Sequence, residues 1–200
     1  MEKEDHLKMT EKESLELIAS MINKAKNRVN ETGAMYLWWG WLILICCIVQ
    51  FSAIHFFKYT HGYYIWFATW LFLFYQLFFP DKNKKRIKVK TYTDEINMFV
   101  WIVFFICLIL VIFIGIHYDK YEMIYPLILV MYGMPIFLSG IILKFKPLKI
   151  GGTICWLLSI ISVFIAGDYQ SLFIAAAIIV AWIIPGYLLK KNYKKVNNAV

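Results

Sequence analysis

Charge is missing from the long stretches of this chain. Six apolar runs, at 34–57, 62–79, 97–117, 123–143, 150–166 and 171–189, contain no Asp, Glu, Lys or Arg. A proton- or ion-coupled carrier marks its pathway with ionisable groups inside the membrane, and a voltage sensor needs a row of arginines. Neither has its residues here. The H-E-x-x-H ligand pair of an intramembrane metalloprotease is also absent. No nucleophile and base stand at a spacing that suits hydrolysis of a lipid. The chain therefore reads as non-enzymatic, with no cofactor implied.

Cysteine is scarce. Cys46, Cys47, Cys107 and Cys155 all fall within apolar runs and none in a connecting segment, which argues against a disulfide framework. The adjacent Cys46 and Cys47 sit midway along the first run, where thiols are poorly ionised and pack inertly. The first 33 residues are polar and lack the apolar segment of a cleavable signal, so the first run is expected to serve as its own insertion signal.

What remains is strongly apolar. Hydrophobic residues make up 61% and charged residues 17% of 200 residues, against about 45–50% and about 25% in soluble domains. A soluble fold of this size would lack polar surface. Lipid removes that requirement, and runs of about 20 apolar residues match the hydrocarbon thickness. The fold class expected is all-α: a polytopic, six-helix transmembrane bundle of three hairpins, preceded by an amphipathic cytoplasmic helix. The fifth run is the shortest; Leu148 and Lys149 extend it at its inner end, or else it is a re-entrant segment.

The basic residues orient the bundle. Nineteen of the 21 lie before the first run, in the second and fourth connections, or after the last run; only Lys58 and Lys120 lie in the other three connections. Cations stay on the cytoplasmic side, which puts both termini there. The chain is thus expected in the cell membrane. Its net charge of +8 suits anionic lipid headgroups rather than nucleic acid, since no basic soluble domain is present to carry the latter. Lys84, Lys85, Arg86, Lys88, Lys90, Lys190 and Lys191 are the expected lipid-interface residues.

Residues 1–33 form the arm. Thr10 and Glu13 have capping-box spacing, and Leu15, Ile18, Met21, Ile22, Ala25 and Val29 recur on one helical face over about 10–30. Gly33 is positioned to end that helix. The stripe can rest on the inner lipid interface, the inner ends of the bundle, or a partner, whether another membrane protein or a second copy. Residues 190–200 form a basic cytoplasmic tail.

One group of side chains suggests chemistry. His55 and His61 flank the first outer turn, His117, Asp119 and Glu122 the second, and Asp168 lies in the third, all at one membrane level. Imidazole and carboxylate suit zinc. No tight ligand spacing supports the idea, and ordinary solvated turns explain the same residues. The polar residues within the runs, Gln50, Ser52, Thr69, Gln76, Ser139, Ser159 and Ser162, are expected to bond between helices or to backbone. Gly133 with Gly140, and Ala177 with Ala181, offer small faces for close packing.

The arm from Glu13-Ser14-Leu15 to Met21-Ile22-Asn23-Lys24-Ala25-Lys26, the Trp38-Trp39-Gly40-Trp41 opening and the ending Ala181-Trp182-Ile183-Ile184-Pro185-Gly186-Tyr187-Leu188-Leu189-Lys190 resemble a group of small membrane proteins of the Bacteroidota that has no assigned activity. The resemblance implies a topology and a bacterial setting, and no mechanism. Two functional readings follow: a scaffold or regulatory subunit, or a transporter or channel for a small neutral or apolar solute whose helices open at Pro126, Pro135 and Pro185.

Overall fold

A computed structural model describes residues 11–59, 61–78, 92–165 and 167–197. Helix α1 runs Glu11–His55; a 3-10 turn, Gly62–Trp66, leads into α2, Phe67–Phe78; α3 is Tyr92–His117, α4 Tyr121–Ile142 and α5 Lys146–Ser162. The last helix is continuous: α6, Gly167–Ile178, passes through a π turn, Ile179–Ile183, into α7, Ile184–Asn197. No strand occurs among the described residues. In lipid every backbone N–H and C=O must find a partner within its own segment, and helices achieve this.

Four helices are long and apolar enough to cross a bilayer, over Gly33–His55, Glu95–His117, Tyr121–Ile142 and Tyr169–Lys191. The two shorter runs fold differently from expectation. The run at 62–79 opens as the 3-10 turn, leaving α2 with 12 residues. The run at 150–166 becomes α5, whose 17 residues begin and end about one turn earlier. Pro147 sits in the first turn of α5, where its missing N–H costs nothing, and Leu148 and Lys149 belong to the helix.

Gly33 does not end the arm helix. The helix passes through it, because Gly33 is a packing residue: an added Cβ would lie 3.1 Å from Leu189 Cβ and 3.2 Å from the Gly186 carbonyl. The basic tail likewise continues α7 as far as Asn197. The segment 79–91, with Lys84, Lys85, Arg86, Lys88 and Lys90, lies outside the described residues, as do the arm's side chains.

Packing does not follow chain order alone. The most extensive contacts are α4 on α5, and α1 on the last helix; α3 rests chiefly on α4. Glycines set these approaches. A Cβ at Gly133 would enter the Trp156 ring, and one at Gly151 would lie 2.7 Å from Ala181 Cα. The small faces of α4 and the last helix are thus filled from within the same chain. Helix α3 is peripheral, with 11% of its span buried. Three helices that end at turns place Lys58 (φ 52°), Asp119 (φ 53°) and Lys144 (φ 51°) in the left-handed region. After the last two, Lys120 N–H bonds Gly115 C=O and Phe145 N–H bonds Gly140 C=O, both at 2.9 Å, closing orphan carbonyls of α3 and α4.

Candidate functional site

Two buried clusters occupy the bundle. The first is polar and centred on Gln50 of α1, which is 2% exposed. Trp66 Nε1–H, from the 3-10 turn, donates to Gln50 Oε1 at 2.8 Å, and the Gln50 amide bonds the Tyr125 hydroxyl of α4. The Cys46 thiol faces the Ile65 carbonyl at 3.8 Å. One amide therefore joins three elements, and its buried groups are paired with neutral partners. A second amide, Gln76 of α2, accepts from Trp39 Nε1–H of α1 at 3.1 Å.

The second cluster is aromatic. Trp182, in the π turn, has its ring 5.7 Å from Tyr36, 5.4 Å from Trp101 and 5.8 Å from Tyr132, all edge to face. Phe104 stacks on Tyr132 at 5.4 Å. Such separations are ring contact, so side chains fill this centre. Gly40 admits the π turn to α1, since a Cβ there would lie 3.0 Å from Ile183 Cγ1. Below the rings, Tyr36 hydrogen-bonds Ser139, whose hydroxyl meets Asn97 Oδ1 at 3.0 Å. Trp182 Nε1 is buried with no hydrogen-bond partner among the described residues.

Three more polar side chains in the runs make the interhelical and backbone bonds expected of them. Ser159 donates to the Pro126 carbonyl across α5 and α4 at 2.8 Å, Ser162 to the Ser159 carbonyl, and Thr69 to the Trp66 carbonyl. Cys46, Cys47 and Cys155 are buried, Cys107 is half-buried, and all four are free.

At the other face the histidines are apart in their surroundings. His55 stacks on Phe51 at 5.1 Å and lies 5.6 Å from Tyr169. His61 faces Tyr64 at 5.7 Å. His117 lies against Phe113 and Tyr118. Asp119 and Glu122 are exposed. Asp168 lies in α6, and its side chain is outside the described residues. Among the described residues no three His, Cys, Asp or Glu side chains come together as a metal set. Lys190 and Lys191 are exposed at the opposite end of the last helix.

Gln170 escaped the sequence reading because it stands beside an apparent outer turn. It is 2% exposed, and its amide donates to the Ser162 and Ile165 carbonyls at 3.2 and 3.4 Å, tying the α5–α6 turn. A helix-start amide with carbonyls freed just upstream was the available signal.

Comparison with family models, curated proteins and solved structures finds no match.

Proposed function

We propose that this chain is a six-span protein of the bacterial cell membrane, with both termini cytoplasmic, that acts as a non-enzymatic scaffold or regulatory subunit. The observation that carries the reading is the unbroken α1. Its 45 residues extend for about 65 Å at 1.5 Å per residue, twice the hydrocarbon thickness of about 30 Å. With Gly33–His55 in the bilayer, about 30 Å of amphipathic helix projects beyond it. A helix continuous with a span points away from the membrane plane, so its apolar stripe favours a protein partner over the lipid interface. The six-span count draws on the 19-to-2 division of cations, with α5 near the lower length limit and the 12-residue α2 crossing only together with the 3-10 turn that precedes it. Lys84, Lys85, Arg86, Lys88, Lys90, Lys190 and Lys191 then face anionic headgroups.

Transport of a neutral solute is the weaker reading, because Tyr36, Trp101, Phe104, Tyr132 and Trp182 occupy the centre where a path would run.

Cross-linking the full chain in native membranes tests the scaffold role. The account expects a discrete partner adduct that is lost when Ile18→Glu and Ile22→Glu interrupt the stripe, while membrane insertion is retained. Solute flux in liposomes together with an unchanged adduct pattern in the double variant would overturn it.

A further inference from the structure

A groove of about 370 Å³ lies between α3 and α4. Ile96, Val103 and Cys107 line it from α3, and Met131, Met134 and Leu138 from α4, with Phe104 and Pro135 also on its wall. From Ile96 to Cys107 the helix rises about 16 Å. That is half the hydrocarbon thickness, one leaflet.

The length and lining point to the occupant. A groove one leaflet long suits an extended polymethylene chain, whose neighbours sit about 4 Å away. The lining is wholly apolar in its side chains, and Met131 and Met134 adapt to a flexible partner. The groove begins near the start of α3 and the end of α4. Beyond that end of α4, Lys144 and Lys146 are both exposed, and Ser139 and Asn97 bond each other close by. A chain lying in the groove therefore carries its headgroup toward two cations.

We infer that this groove is a site for one acyl chain of an anionic phospholipid, in the leaflet on the side of Lys144 and Lys146. The inference rests on the membrane placement and not on the scaffold role. Met134, 43% exposed at the groove, and Val103, 57% exposed, are its open lips.

The full chain, reconstituted in vesicles, is photolabelled with phosphatidylglycerol or phosphatidylcholine carrying a diazirine in the acyl chain. Adducts are then mapped by mass spectrometry. Phosphatidylglycerol adducts are expected on Ile96, Val103, Cys107, Met131, Met134 and Leu138, exceeding phosphatidylcholine by about fivefold for each lysine that takes part. Lys144→Gln with Lys146→Gln should erase the headgroup preference. Val103→Trp should fill the groove and remove the adducts. Leu110→Trp, on the exposed face of α3 beyond the groove, should leave them intact. Equal labelling by both lipids, even labelling along Ile106, Leu110 and Phe113, or a chain-to-chain cross-link in the groove would each overturn the site. Failure of the chain to float with the vesicles would instead overturn the membrane placement itself.

Discussion

At the scale of single residues, close approach and neutral pairing hold this molecule together. Gly133 faces the Trp156 ring so closely that an added Cβ would overlap it, and Trp156 Nε1–H donates to the Val130 carbonyl at 3.2 Å. Gly133→Ala should cost about 2 kcal/mol, because the displaced ring also loses that bond. Gly167→Ala, whose Cβ would meet only Glu122 Cγ, at 3.8 Å, among the described residues, should be neutral or stabilising by up to about 1 kcal/mol. Thermal unfolding of both variants in one detergent checks the contrast. Gln50→Leu leaves the Trp66 N–H and the Tyr125 hydroxyl without their partner, at a cost of about 1–2 kcal/mol. A double-mutant cycle with Trp66→Phe should recover part of that loss; strict additivity would show that the bond carries no coupling. The polar contacts within the runs were legible as a class, since a lone Gln or Ser in an apolar helix has few alternatives. Their partners were not, because Tyr125 lies 75 positions from Gln50.

At the scale of elements, apolar run lengths were legible and helix limits were not. Gly33 carries the same local signal as a C-terminal stop, and only the nearness of Gly186 and Leu189 shows that it serves packing instead. The π turn before Pro185 was equally hidden: a proline announces a disturbed helix without saying how the extra residue is absorbed. Pairing order was also beyond the sequence. The α1 and last-helix contact joins opposite ends of the chain, and short connections speak only for neighbours. The left-handed residues at helix ends make a further prediction. Lys58 pays a conformational penalty at φ 52° that glycine would not. Lys58→Gly should therefore raise the unfolding midpoint, by an amount equivalent to about 0.5–1 kcal/mol. A lowered midpoint would show that the Lys58 side chain makes a contact worth more than the backbone relief.

At the scale of the whole molecule, composition and charge asymmetry carry the account, and the all-helical fold with four full-length apolar helices agrees with them. The histidines were legible as residues, and each has its own aromatic neighbours; among the described residues no three His, Cys, Asp or Glu side chains come together as a metal set. The central claim is that α2 and α5 also cross, which fixes the side of every connection. Single cysteines at Lys85, Lys120 and Lys146, reacted in intact cells with an impermeant thiol reagent, test it most directly. The native thiols lie within the apolar runs, away from such a reagent. Six crossings with cytoplasmic termini require Lys120→Cys to react from outside, and Lys85→Cys and Lys146→Cys to react only after the cells are opened. The reverse pattern, with positions 85 and 146 labelled from outside and 120 protected, is what four crossings would produce, and it would contradict the account.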